Sequence, residues 1–237
     1  MGLALLRADD LTSGDSERVA RAYREFSDYT AWFQRSFNST LCRERISVDL
    51  NSGRGLAGYV LKGRAFTICL AQAGQAERYL RMKAPDYPCA LEGGAEFGIC
   101  AAPVLAGIRK DTGLGSPLLE TVSSSLDGGV GLSGGLCGAL AGALLVLGLS
   151  RGIDPGREGI GGTLRFSLAG LKKGGTGPWS EGRRLLRSFS SEFGSLECRD
   201  IAGRTFESSV ELTRFLRGSA RCMKVIGWCR EEGAAFA

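Results

Sequence analysis

The sequence of 237 residues contains no histidine. This absence excludes Ser-His-Asp and Cys-His catalysis and every imidazole metal site. It also excludes covalent c-type haem, which requires Cys-x-x-Cys-His, so we expect no haem. Cysteine is abundant instead, with eight residues. Thiolates are therefore the leading candidates for any chemistry at neutral pH.

The chain also lacks any Cys-x-x-Cys pair. Zinc ribbons, zinc fingers and thioredoxin-like redox motifs all use such close pairs, so these classes are disfavoured. The N-terminal residues lack the basic region and the long apolar core of a signal peptide. We therefore expect a cytoplasmic protein in a reducing compartment, whose cysteines form no disulfide framework.

Concentrated basic charge is missing as well. The net charge is +5, but the lysines and arginines are spread along the chain. Nucleic-acid binders usually gather basic residues into a patch with interleaved aromatic residues, so we expect no nucleic-acid partner.

One long uncharged run is present, residues 128–150, which is long enough to span a bilayer. Its many glycines lower both hydrophobicity and helix propensity, which makes a membrane span the less favoured interpretation. Gly134, Gly138 and Gly142 recur at four-residue intervals, a small-residue stripe that allows helices to pack closely. The run therefore predicts a buried, glycine-rich central helix.

Apolar residues recur at helical spacing, and no stretch alternates apolar and polar residues long enough to predict a sheet. The fold class is therefore all-α, a multi-helix bundle. Breaks are expected at residues 49–58 and in a long glycine-rich loop at 152–177. Helices are predicted over residues 16–37, 65–82, 95–109, 117–126, 181–193 and 208–232.

An internal repeat divides the chain. The spacing of Phe33, Phe37 and Cys42 is identical to that of Phe189, Phe193 and Cys198. Residues 1–83 are therefore interpreted as a partial repeat of the back half of a domain at 95–237, with a linker at 84–94. Because truncated repeats often complete themselves by association, a homodimer is expected.

The best-placed thiol is that of Cys137, which follows a glycine-rich turn at the start of the central helix. Unpaired N–H groups and the helix dipole favour a thiolate at such a position. Glycines nearby let backbone N–H groups approach a bound anion or a cluster sulfide.

Four segments of the chain, spread over about residues 96–232, resemble one known family. It is the redox-active family named for its signature of Cys, then Gly-Cys-Ala-x-x-Gly, then Cys and Cys, and it is related to a domain of split-Soret cytochromes c. The resemblance rests on Phe97-Gly98-Ile99-Cys100-Ala101, on the glycines and Cys137 within residues 129–143, on Phe189, Phe193 and Cys198-Arg199, and on Cys222.

What the resemblance implies is redox activity and cluster binding. We expect Cys100, Cys137, Cys198 and Cys222 to be the ligands of an iron–sulfur cluster, the ligand set usual for [2Fe–2S] and [4Fe–4S] centres. Such a protein would transfer electrons to a redox partner protein that the sequence does not identify.

Two other hypotheses stay open at this point. The first is a metal-free thiol–disulfide redox protein or sensor, in which Cys137 reacts and another cysteine resolves it. The second is a membrane-associated binding protein that uses the glycine-rich helix. Outside the four expected ligands, Cys42 and Cys69 are interpreted as remnants or as part of a second site with another chain. Cys89 is interpreted as incidental and Cys229 as a packed core residue.

Overall fold

A computed structural model of the chain describes residues 2–40, 42–47, 53–63, 65–83, 98–171 and 178–237. Within these ranges the protein is helical and contains no strand, which confirms the all-α class. A π-helical segment, Ala65–Leu70, precedes α6, and a 3₁₀ turn, Ser123–Leu126, follows α8. The α-helices are α1 Gly2–Leu6, α2 Ala8–Thr12, α3 Ser16–Phe37, α4 Cys42–Ile46, α5 Gly53–Leu61, α6 Ala71–Lys83, α7 Ala101–Thr112, α8 Pro117–Val122, α9 Gly138–Arg151, α10 Pro155–Leu171, α11 Pro178–Phe193, α12 Cys198–Ala202, α13 Ser209–Gly218 and α14 Ala220–Ala234.

Helix α3 has the limits that its apolar spacing predicts. The Asp15 side chain caps it by accepting the Glu17 N–H at 2.8 Å. It ends where Asn38 adopts a left-handed conformation, φ 63°. One face of its N-terminal half is buried, through Val19, Ala22, Tyr23 and Phe26, whereas Phe33 and Phe37 further along are half-buried.

Helix α9 is the buried, glycine-rich central helix of the bundle. Helices α7, α11 and α14 pack around it and enclose one hydrophobic core. A Cβ added at Gly142 would lie 3.0 Å from the Ala101 carbonyl oxygen, and one at Gly138 would lie 2.7 Å from that of Leu126. Glycine at these two positions therefore lets α9 approach its neighbours closely, as the stripe predicts.

A second hydrophobic core joins the N-terminal helices to the cysteine region. Residues of α1 to α3, among them Leu11 and Tyr23, pack in one cluster with Cys100, Cys198 and Leu212. The N-terminal segment thus covers one side of the cysteine region. The predicted linker at 84–94 lies outside the described residues, so the domain boundary stays a prediction.

The predicted loop over residues 152–177 is wrong for its central part, which forms α10 with a break at Gly159, φ 64°. Ile160, Leu164, Leu168 and Leu171 recur there at helical spacing, and this period outweighs the glycine content. Likewise α5 begins inside the break predicted at 49–58.

The predicted helix over residues 208–232 is two helices. Helix α13 ends at Gly218, and the Ser219 hydroxyl then caps α14 by accepting the Cys222 N–H at 3.2 Å. Within the described ranges, no helix has both the length and the apolar character needed to cross a membrane.

Candidate redox centre

The four cysteines predicted as ligands line one narrow, apolar cavity of about 20 Å³. Cys100, Cys137 and Cys198 are buried, Cys222 is half-buried, and all four are free thiols. Apolar side chains complete the lining, among them Ile201, Phe206, Leu212, Leu216, Val225 and Ile226. The fold therefore brings together four side chains that lie as much as 122 residues apart in the sequence, from 100 to 222.

Each of these cysteines lies at the N-terminal end of a different helix. Cys100 and Cys137 are the N-cap residues of α7 and α9, Cys198 is the first residue of α12, and Cys222 lies in the first turn of α14. The N-terminus of a helix carries partial positive charge and N–H groups without a helical partner. The arrangement therefore favours negative charge on the sulfur atoms.

A left-handed turn shapes the loop between the 3₁₀ segment and α9. The five residues 128–132 have φ between 61° and 84°. Their backbone is held by hydrogen bonds, among them that of the Gly131 N–H to the Ser125 carbonyl at 2.8 Å and that of the Leu132 N–H to the Asp127 carbonyl at 3.1 Å. Two residues of the turn, Val130 and Leu132, are not glycine, and a positive φ is strained for both side chains.

The turn directs the next residues against the segment that precedes α12. The Cys137 N–H donates to the Leu196 carbonyl at 2.8 Å, and the Cys198 N–H donates to the Gly135 carbonyl at 2.6 Å. Leu136 and Glu197 form an antiparallel bridge between these bonds. This pairing fixes the backbones of Cys137 and Cys198 side by side.

Asp127 anchors Cys100 and was not predicted as part of the site. Its buried carboxylate accepts the Cys100 N–H at 2.8 Å and those of Ile99 and Ala101 at 2.8 and 3.2 Å. The hydroxyl of Tyr23 donates to it at 2.6 Å. Asp127 therefore caps α7 from 26 residues away and ties α3 to the start of that helix.

Burial dominates the electrostatics of the thiols. It raises the pKa of Cys100, of Cys137 and of Cys198, the last to about 12, and the negative charges of neighbouring cysteines and Asp127 raise these pKa values further. Backbone N–H groups act in the opposite direction. The Gly128 N–H donates to the sulfur of Cys100. The N–H groups of Ala139 and Leu140 donate to the sulfur of Cys137. These hydrogen bonds lower the pKa of both thiols.

Among the cysteine side chains that the structure describes, those of Cys69 and Cys229 do not line this cavity. Cys229 is fully buried in the core between α9 and α14, seven residues after Cys222. The sulfur of Cys69 accepts a hydrogen bond from the Tyr59 hydroxyl at 2.8 Å. The side chain of Cys42, at the start of α4, and the whole of Cys89 lie outside the described residues.

The segments after α3 and α11 have corresponding geometry. Asn38 and Gly194 both adopt the left-handed conformation directly after their helix. The Ser39 hydroxyl then donates to Glu44 at 2.5 Å, just as the Ser195 hydroxyl donates to Asp200 at 2.6 Å. The wider repeat over residues 1–83 stays a prediction.

The centre does not resemble a site for one metal ion. Within the ranges given above, no three His, Cys, Asp or Glu side chains are grouped so that they could hold a single ion. A cluster distributes its thiolates over several iron atoms, so its ligands need not converge on one point. The arrangement observed is four free thiols around one apolar cavity.

Comparison with known proteins agrees with this geometry. Searches of the curated proteins and of the solved structures gave no match. One family model matches residues 99–232, which include all four cysteines of the cavity, and its description is "Putative redox-active protein (C_GCAxxG_C_C)". Since the match covers more than half of the 237 residues, the chain belongs to the C_GCAxxG_C_C family of redox-active proteins.

Proposed function

We propose that Cys100, Cys137, Cys198 and Cys222 bind an iron–sulfur cluster and that the protein transfers electrons. The observation that carries the proposal is the meeting of four cysteines, each at the start of its own helix, in one apolar cavity. The cluster would supply one-electron redox chemistry when bound. The redox partner protein, the cytoplasmic location and a homodimer remain predictions from the sequence.

The charges of the cavity support a metal-bound state. Asp127 and, when ionised, neighbouring cysteines raise the pKa values of Cys100, Cys137 and Cys198 through their negative charge. Buried thiolates need a compensating positive charge, and iron ions supply one, so that a coordinating thiol is deprotonated. Because the free volume is only about 20 Å³, the walls must separate when a cluster binds.

The surrounding residues would set the reduction potential. The N–H groups of Gly128, Ala139 and Leu140 bond to the sulfurs and stabilise the more negative, reduced state. The carboxylate of Asp127 opposes them, since it adds negative charge beside Cys100. The apolar lining keeps water from the sulfur atoms.

A metal-free thiol mechanism through Cys137 has less support. The thiolate is the reactive form of cysteine, and burial raises the pKa of Cys137 and that of Cys198, its neighbour across the bridge. Few thiolates would therefore form at neutral pH without a metal.

The test is anaerobic purification followed by a visible spectrum and assays of iron and acid-labile sulfide. We expect a brown protein with stoichiometric sulfide. Replacing Cys137 or Cys198 by alanine should remove the colour and the iron. So should Cys222→Ala, in which the half-buried side chain can be shortened with little effect on the core.

Cys229→Ala is the matched control, because Cys229 lies on the same helix as Cys222 but outside the cavity. It should keep the iron content of the unmodified protein. A colourless protein that stays metal-free after reconstitution with iron and sulfide would refute the cluster and leave thiol chemistry as the leading account.

A further inference from the structure

A large cavity lies directly beside the four cysteines. Its volume is about 700 Å³, within the range of small-molecule sites. One side is formed by α3, through Ser27, Thr30 and Ala31, and by Glu44 of α4. The opposite side consists of the left-handed turn and the paired segments that follow it.

A single bridged pair of residues, Leu136 and Glu197, separates this cavity from the thiols. Leu136 and Glu197, the two residues of the antiparallel bridge, both line the cavity. Their chain neighbours Cys137 and Cys198 line the smaller cavity with the other two thiols. A molecule bound here would lie next to the proposed redox centre.

The hydrogen atoms of several polar groups in the wall are already engaged. The Thr30 hydroxyl donates to the Phe26 carbonyl at 3.0 Å, and the Gln34 amide donates to the Asn38 carbonyl at 2.9 Å. The Ser133 hydroxyl donates to the Gly129 carbonyl. The oxygens of the two hydroxyls keep lone pairs after their hydrogens are used, so Thr30 and Ser133 face a ligand as acceptors, whereas the Gln34 amide offers both its oxygen and a second N–H.

The charges of the wall are negative in sum. Glu44 and Glu197 contribute two carboxylates, and Arg199 contributes one guanidinium, which is turned onto Glu197 by two N–H bonds. Carboxylates only accept hydrogen bonds. Among the described residues that line the cavity there is no lysine and no second arginine.

We propose that this cavity binds a small organic cation that is rich in N–H donors, such as a primary amine or a diamine. A wall with a net negative charge, in which the carboxylates and the Thr30 and Ser133 hydroxyls accept hydrogen bonds, recognises donors and positive charge, and it disfavours anions. Glu44 is exposed at the cavity and is the residue best placed to pair with an ammonium group. The site does not depend on whether iron is bound behind it.

The test is calorimetric titration of the full chain with three probes that share a four-carbon skeleton, namely diaminobutane, butanediol and succinate. We expect diaminobutane to bind with one-to-one stoichiometry and at least about tenfold more tightly than either of the others. Glu44→Gln should weaken that binding about two- to fivefold, as expected for the loss of one exposed ion pair. Ala31→Phe, which places a ring in the cavity, should abolish it.

Glu231→Gln, a change of the same kind on an exposed residue of α14, should leave the affinity unaltered. Circular dichroism checks that each variant is folded. The proposal is overturned if diaminobutane fails to bind at millimolar concentration, if succinate or butanediol binds as well, or if neither Glu44→Gln nor Ala31→Phe weakens the binding. Because the titration does not involve iron, its outcome is separate from that of the iron and sulfide assays.

Discussion

The hydroxyl of Tyr23 offers a sharp test of how the N-terminal helices support the redox centre. Tyr23 is 1% exposed, and its hydroxyl donates to Asp127 at 2.6 Å. Tyr23→Phe removes this one hydroxyl and keeps the ring, which packs against Phe26 with 5.6 Å between centroids. The substitution therefore separates the hydrogen bonds of the hydroxyl, to Asp127 and with Ser124, from the packing of the ring.

The expected loss follows from the charge of the acceptor. A hydrogen bond to a charged group contributes about 1.5–3 kcal/mol to the free energy of unfolding, and the buried carboxylate has no water to replace the lost donor. For a chain of this length each kcal/mol changes the melting temperature by about 2–4 °C. The melting temperature should therefore fall by about 3–12 °C.

The loss should depend on pH in a defined direction. Burial raises the pKa of Asp127, and the Tyr23 hydroxyl is the strongest of the groups that lower it, so Tyr23→Phe should raise this pKa further. A raised pKa means that the folded state holds the proton more tightly than the unfolded state. The contribution of Asp127 to stability is thus fully present in acid and is lost as the pH rises through the folded-state pKa. The free energy of unfolding of the variant should therefore fall further below that of the unmodified protein as the pH rises through the pKa of Asp127. In acid the two free energies should lie closer together.

Urea unfolding followed by circular dichroism at several pH values measures these differences. Tyr29→Phe is the matched control, since Tyr29 is half-buried on the same helix and its hydroxyl has no such carboxylate partner among the described residues. Equal losses for the two variants, or a loss for Tyr23→Phe that is independent of pH, would refute the role assigned to the Tyr23–Asp127 pair.

Two further predictions concern the left-handed turn and the thiols. Val130→Gly should raise the free energy of unfolding by about 1 kcal/mol, because it relieves a positive φ at a side chain that is 39% exposed. Leu132→Gly relieves the same strain but removes a buried side chain, so it should lower the free energy by about 2 kcal/mol or more in the same urea titrations. A gain for both variants, or for neither, would contradict this account. In metal-free protein, alkylation of Cys198 by iodoacetamide should be slow at pH 7 and should accelerate toward pH 12, because burial raises its pKa to about 12. Over the same rise the folded state should lose stability, and rapid alkylation of folded protein at pH 7 would contradict the burial of this thiol.

The helices were predictable where apolar or small residues recur along the sequence at helical spacing. The limits of α3 follow from its apolar face and from Asp15 as its cap, and the burial of α9 follows from the spacing of Gly138 and Gly142. The loop predicted at residues 152–177 is wrong over α10. Its glycines favour a loop, but the apolar residues of the same segment recur at helical spacing.

The meeting of the four cysteines in one cavity was predictable only in part. The four cysteines stand in the order of the family signature, but the local pattern indicates a helix start only for Cys137, after its glycine-rich turn, and not for Cys100, Cys198 and Cys222. The role of Asp127 depends on contacts with residues 99–101 and with Tyr23, which lies 104 residues away. One signal was present, since Asp127 is the last charged residue before the uncharged run at 128–150. Where such a carboxylate is buried with the run, it needs hydrogen-bond donors as partners.

The left-handed turn explains why the chain accepts strain beside its cysteines. A conformation that costs about 1–2 kcal/mol at each residue other than glycine persists only where the surroundings enforce it. Here Gly131 lies so close to α3 that an added Cβ would be 2.8 Å from the Phe26 carbonyl oxygen. The turn places the Gly128 N–H against the sulfur of Cys100. It also precedes the segment whose backbone pairing places Cys137 beside Cys198. One strained turn thus holds three of the four thiols in place.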